Sequence, residues 1–200
     1  KAIYFFTLAA NNNIPEAQNY LGLIYYDNQY TPRDMNKSIY YFTLAANNNY
    51  LYAEYNLGFI YYNGQYVTRN INKSIYYFTL AANYNIPDAQ CILGLIYYED
   101  QEIPQDLNKA IYYFTLAANQ NIPEAQHYLG EIYYENQKNP RDINKAIYYF
   151  TLAAENNNYL YSQINLGLIY YKDQEISRDI NKAIYYFTLA ANQNNSEAHY

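Results

Sequence analysis

Apolar and polar positions along this chain repeat in two alternating helical patterns. In residues 1–10 the apolar positions Ala2, Ile3, Phe6, Ala9 and Ala10 fall on one helical stripe. From Pro15 to Asp27, Ala17, Leu21, Ile24 and Tyr25 stand at i, i+4, i+7 and i+8, again a single helix face. Tyr and Ile favour strands by propensity. Strict apolar/polar alternation is missing, however, and the paired alanines favour helix.

The two-helix phrase then returns. Lys1, Lys37, Lys73, Lys109, Lys145 and Lys182 each open nearly the same run, Lys-(Ala/Ser)-Ile-Tyr-(Tyr/Phe)-Phe-Thr-Leu-Ala-Ala, at a spacing of 36 residues that becomes 37 at the last step. Gly22, Gly58, Gly94, Gly130 and Gly167 keep step with them. A fixed period of this size marks a solenoid or array. The expectation is one array over residues 1–200, its last repeat incomplete. Neither end carries the polar capping helix that closes such an array, so the array is expected to continue in a longer chain.

Turn and cap residues fit the same frame. Pro15, Pro87 and Pro123 fall in a helix first turn, where a missing N–H removes no hydrogen bond. Asp34, Asp106, Asp142 and Asp179 precede the Lys helices at positions suited to capping. Asn clusters follow each Ala-Ala pair (Asn11, Asn47, Asn83, Asn119, Asn192, and Asn156 in the shifted copy), and Asn tolerates the left-handed conformation that closes a helix. The repeated glycine is expected to let the helices of a pair approach closely.

Composition narrows the function classes. The formal charge is −6, with no basic stripe to reverse it locally, so nucleic acid is not an expected partner. Mean hydropathy is −0.49 even though 51% of residues are hydrophobic, because Tyr, with its polar tip, occurs 32 times. The longest apolar runs, such as Ile39–Ala46, fall short of the roughly 20 residues of a membrane span. Cys91 is the single cysteine, which fits a reducing compartment. No Cys-x-x-Cys, His-Glu-x-x-His, phosphate loop or Gly-x-Ser-x-Gly occurs. His127 and His199 are far apart, and His127 is expected to be exposed. The chain is read as non-enzymatic, without cofactor or metal. Three Asn-x-Ser matches, at Asn36, Asn72 and Asn194, are attributed to the abundance of Asn.

Taken together, Ala17, Leu21-Gly22, Tyr25-Tyr26, Asp34, Lys37-Ser38, Tyr41-Phe42 and Ala45-Ala46 resemble the Sel-one-like repeat, a relative of the tetratricopeptide repeat. The resemblance recurs five times and covers nearly the whole chain. Two features depart from it. The usual Gly-x-Gly turn reads Asp27-Asn28-Gln29-Tyr30, with only Gly64 keeping one glycine. Tyr41, Tyr77, Tyr113, Tyr149 and Tyr186 stand where the family often has Trp. Both departures are read as compositional drift.

The resemblance implies an all-α, right-handed superhelical solenoid of antiparallel helix pairs, with a concave groove lined by the first helix of each pair. Tetratricopeptide geometry places Asn19, Tyr55, Cys91, His127 and Ile164 in one groove row, and Leu23, Phe59, Leu95, Glu131 and Leu168 in the next. Tyr26, Tyr62, Tyr98, Tyr134 and Tyr171 form a third row, beside Asp27, Asn63, Glu99, Glu135 and Lys172. The first row differs in every copy and is expected to be exposed. The implied partner is another protein, a peptide or helix with apolar anchors and some Lys/Arg. Two alternatives stand beside this reading: the third-row tyrosines pack between repeats, or the opposite face, with Tyr40, Thr43 and Leu44, binds laterally. The implied role is a cytoplasmic scaffold in signalling. Its alternative is an adaptor of an endoplasmic-reticulum quality-control ubiquitin ligase in the lumen.

Overall fold

The structure is a computed structural model that describes residues 2–135, 141–156 and 158–197, with backbone only for Glu135 and residues 194–197. All regular elements among these residues are helical: α1 (Ala2–Asn11), α2 (Pro15–Tyr26), α3 (Met35–Asn47), α4 (Leu51–Asn63), α5 (Ile71–Asn83), α6 (Pro87–Glu99), α7 (Leu107–Ala118), α8 (Pro123–Glu135), α9 (Ile143–Thr151), α10 (Leu160–Lys172) and α11 (Ile180–Glu197). They form two compact units. One holds α1 to α5, most of α6 and the turn 100–104; the other holds the end of α6 and α7 to α11.

Helix starts follow the capping chemistry. The Asp34 carboxylate accepts the Lys37 N–H at 3.0 Å, and Asp106, Asp142 and Asp179 do the same for α7, α9 and α11. Asn70 caps α5 in the same way, a role the sequence reading did not assign. α2, α6 and α8 begin at Pro15, Pro87 and Pro123. Asn13, Asn49, Asn85, Asn121 and Asn158 are left-handed, with φ of 51 to 62°, and Asn28 and Gly64 also have positive φ, 27° and 66°. Five of the Asn clusters close helices as expected, through their third residue rather than their first; the cluster at Asn192 does not, because α11 runs on to Glu197.

Within a pair, the order of contacts gives the direction. Tyr25 stacks on Tyr41, Gly22 meets Phe42, and Gln18 accepts from Asn48. Moving backward along α2 means moving forward along α3 and the turn after it, so the pair is antiparallel. A methyl group on Gly22, Gly58, Gly130 or Gly167 would lie 2.5–2.9 Å from the ring of Phe42, Phe78, Phe150 or Phe187. The glycines let each Phe ring press onto helix backbone, and Phe42, Phe78, Phe114 and Phe150 are fully buried.

The tyrosines in the Trp positions have a defined job. Tyr41, Tyr77, Tyr113, Tyr149 and Tyr186 stack on Tyr25, Tyr61, Tyr97, Tyr133 and Tyr170 at 5.8–6.1 Å, nearly parallel. The ammonium of the repeat's Lys lies 4.7–5.0 Å above the second ring of each pair. Cation, ring and ring form one column at each pair's seam, where aromatic stacking and cation–π attraction add to area burial.

The one-residue lengthening of the fifth copy is absorbed locally. Residues Leu152–Asn156 form a π turn continuing α9. The Tyr159 N–H reaches back six residues to the Ala153 carbonyl, where Ile14, Tyr50 and Ile122 reach back five. The wider turn takes up the extra residue before α10, so the Gln163 amide still donates to the Ala154 carbonyl at 3.3 Å, as Gln126 does to Ala118.

The turns that lack Gly-x-Gly also have a structural role, which corrects their reading as compositional drift. Gly64 closes α4 at φ 66°. Asp100 and Asp173 end their helices in extended conformation, and their carboxylates accept the N–H of Glu102 and Glu175 at 2.9 Å. The side chain takes over the turn-closing role of glycine. The same carboxylates, with Glu102 and Glu175, clamp Arg69 and Arg141 from the preceding copy.

Candidate protein-binding groove

In the first unit the second groove row opens outward from α2 and α4. Leu23 and Phe59 are each 36% exposed. With Tyr26, Tyr55 and Asn56 they line a hollow of about 220 Å³, floored by Phe42 and Ile60. The expected residues Leu23, Tyr26, Tyr55 and Phe59 are thus brought together; Asn56, Phe42 and Ile60 were not foreseen. Phe42 and Ile60 belong to the core stripe, and periodicity gives no sign that a core side chain forms a pocket floor. The Tyr26 hydroxyl is pushed above its ordinary pKa by burial and by Tyr66, against the lowering effect of Arg33, and stays a neutral hydrogen-bonding tip.

The first row is not the exposed row it was expected to be. Asn19 and Cys91 are buried, and Asn19 accepts from the Asn56 amide at 3.1 Å, joining α2 to α4. Tyr55 is half-buried against the Phe78 ring at 5.7 Å. His127 is 6% exposed, with Nδ1 2.9 Å from the Ser162 hydroxyl and Nε2 3.4 Å from Glu131, among the rings of Phe150 and Tyr159. Consecutive first helices come close enough for these side chains to fill the gap between copies. Variation along the row reflects pairwise fitting between neighbours, and does not mark an open surface.

Ser162, His127 and Glu131 have the residue types of a nucleophile relay. The Ser162 hydroxyl is fully buried, so no substrate can meet it. The trio satisfies buried polar atoms at the contact of α8 with α10. No group of three or more His, Cys, Asp or Glu among the described residues has metal-holding geometry. Likewise, no described helix is long and apolar enough to cross a membrane.

The third row is partly packed. Tyr62 meets Phe78 edge-on at 6.4 Å, and Tyr98 meets Phe114 and Tyr128 at 6.3 and 6.0 Å. The Tyr134 hydroxyl donates to Asp173 at 3.0 Å. Tyr171 is exposed and carries Arg178 at 4.7 Å over its ring. Leu95, Ile164 and Leu168 are half-buried, and Glu99 and Lys172 are exposed at helix ends. The Glu135 side chain, the side chains of Asn194 to Ser196, and His199 lie outside the described residues. On the opposite face Tyr40 is exposed, with Thr43 and Leu44 half-buried.

Antiparallel helix pairs at a 36-residue period, with a shallow apolar hollow and no built catalytic constellation among the described residues, define an α-solenoid of the helix-pair repeat class. The chain belongs to the Sel1 repeat family, whose repeat matches residues 1–14, 15–50, 51–83, 87–122, 123–158 and 160–195. No curated protein matches it. Among solved structures it is similar to a protective antigen of uropathogenic Escherichia coli with an SLR fold, at 28% identity and a TM-score of 0.88 over 96% of this chain and 41% of the antigen. It is also similar to a Sel1 repeat protein from Oxalobacter formigenes, at 29% identity and a TM-score of 0.78 over 96% of this chain and 78% of that one. The chain thus spans about two fifths of the antigen's length. Sel1-repeat solenoids are in general protein-interaction scaffolds without catalytic function.

Proposed function

We propose that this chain is an interaction scaffold that takes an extended peptide or a partner helix on the face formed by α2 and α4, with an apolar side chain seated between Leu23 and Phe59. The observation that carries this reading is the hollow itself. Two large apolar side chains stand exposed on consecutive first helices beside a 220 Å³ recess lined by tyrosines. Rigid aromatic walls lose little entropy on binding, and a recess of this size accepts one Leu-, Phe- or Met-sized anchor. The setting we propose is a cytoplasmic signalling assembly, in keeping with the single cysteine and the family resemblance.

Selection from a displayed library of random dodecapeptides tests the reading. Enrichment of a bulky apolar residue is expected with the native chain. It is expected to vanish with the pair Leu23→Ser and Phe59→Ser, whose circular dichroism stays native because both side chains are already partly solvated. Unchanged enrichment with that pair would overturn the proposal.

A further inference from the structure

Each copy carries an Arg or Gln at one turn position (Arg33, Arg69, Gln105, Arg141 and Arg178), and the first three share an anchor. Arg33 Nε donates to the Tyr26 carbonyl at 2.7 Å, Arg69 Nε to Tyr62 at 3.0 Å, and the Gln105 amide to Tyr98 at 2.9 Å. Each side chain is thereby held in the same way at the end of a first helix. What the outer nitrogens meet differs. Arg69 is clamped by Asp100 and Glu102, and Arg141 by Asp173 and Glu175. The positions equivalent to those acids opposite Arg33 are Gly64 and Tyr66. Among the described residues no carboxylate pairs with Arg33.

Tyr66 does not replace the missing acids. Its ring lies under the guanidinium, 3.9 Å from the central carbon, and so occupies the face of the fork. Carboxylates bind in the guanidinium plane, through two parallel N–H donors, and that edge stays open. It opens on a hollow of about 580 Å³ whose further walls include Asn36, Lys37 and Val67. Among the described residues the one acid lining this hollow is Asp34, which pairs with Lys37 at 3.2 Å and caps α3. One positive charge is therefore left without a counter-ion. The equivalent hollow in the second unit, beside Arg141 and Lys145, has Glu175 among its walls.

We infer that Arg33 is a carboxylate-binding site, and that the peptide taken by the α2–α4 face presents an Asp or Glu side chain to it. The acid completes the clamp that Asp100 with Glu102, and Asp173 with Glu175, complete within the chain. Tyr26 lines the apolar recess, and Arg33 stands 6.0 Å from its ring. The recognised segment therefore pairs a bulky apolar residue with a nearby acid, in contrast to the Lys/Arg-bearing partner that net charge alone suggests. This inference rests on the groove reading and narrows its ligand.

The test uses the same dodecapeptide library, fused at its C-terminus so that no terminal carboxylate is present. An Asp or Glu at a fixed distance from the apolar anchor is expected among peptides selected by the native chain. Arg33→Gln, the residue that the third copy carries at this position, keeps the anchoring hydrogen bond and is expected to weaken the selected peptide about ten- to hundredfold. Tyr66→Glu supplies the acid from within, as Glu102 does, and is expected to weaken it similarly. Replacing the peptide's acid by its amide is expected to cost the native chain the same factor and the Arg33→Gln variant nothing further. Apolar enrichment without an acid, or an equal loss of acid and amide peptides on Arg33→Gln, overturns the carboxylate site and leaves the groove reading standing. Absence of any apolar enrichment overturns both.

Discussion

Glu54 occupies the position that Gln18, Gln90, Gln126 and Gln163 hold in the other copies. Those amides donate to a buried carbonyl of the preceding helix, at Ala10, Ala82, Ala118 and Ala154. Glu54 is 2% exposed and its Oε2 has no partner among the described residues, because an ionised carboxylate has no proton to offer the Ala46 carbonyl. Burial raises its pKa above the usual carboxylate range. The folded chain then holds a proton that the unfolded chain releases, so stability falls as pH rises through the window starting near about pH 4. Glu54→Gln is expected to stabilise the chain by about 1–3 kcal/mol at pH 7, with the gain shrinking toward pH 4. Thermal melts across this range measure it, and a gain independent of pH would show that ionisation is not the cause.

Between elements, the tight contact is glycine against phenylalanine. In α8, a methyl group on Gly130 would stand 2.5 Å from the Phe150 ring, and that ring is fully buried with no room to withdraw. Ala is the better helix former by about 1 kcal/mol, so propensity alone predicts that Gly130→Ala stabilises α8. Overpacking opposes this by about 1–3 kcal/mol, and the expected net effect is a loss. Adding Phe150→Leu, which vacates the ring edge, is expected to make Gly130→Ala less harmful than it is alone. A double-mutant cycle by denaturant unfolding reads the coupling; strict additivity would mean that α8 and α9 part to admit the methyl. The same scale explains the fifth copy, where the extra residue widens a turn into a π turn and leaves the Gln163 anchor in place.

At the scale of the whole molecule, a repeat array is held by nearest-neighbour interfaces, so damage to one interface stays local. Asp173 is nearly buried. Burial raises its pKa, but the Glu175 N–H, the Tyr134 hydroxyl and Arg141 outweigh that and hold it below its ordinary value. Arg141→Ala leaves this carboxylate with one charged partner fewer, at an expected cost of about 1–3 kcal/mol. Because the folded pKa is depressed, the stabilisation is present at neutral pH and lost as acid protonates Asp173. Hydrogen exchange is expected to quicken in the turn 173–179 and at the end of α10 while α7 keeps its protection. Uniform quickening across the second unit would instead mean that the unit opens as one cooperative body.

By itself the sequence determined the period, the helical class, the Asp caps, the Pro starts and the purpose of the repeated glycines. These follow from local rules that hold whatever the neighbours are: helical periodicity, hydrogen-bond donors at a helix start, the room a missing Cβ leaves. The antiparallel pairing, and the placing of Leu23, Tyr26, Tyr55 and Phe59 on one face, came instead from the resemblance to the repeat family. The tertiary structure alone decided which face positions are open. His127 and Cys91 look like free surface because they vary, yet they are buried where adjacent copies meet, and the depth of such a position depends on the side chain opposite it. The same holds for Arg33. Its distinction from Arg69 and Arg141 lies in what stands 31 to 34 residues away, a relation between copies that no single repeat contains.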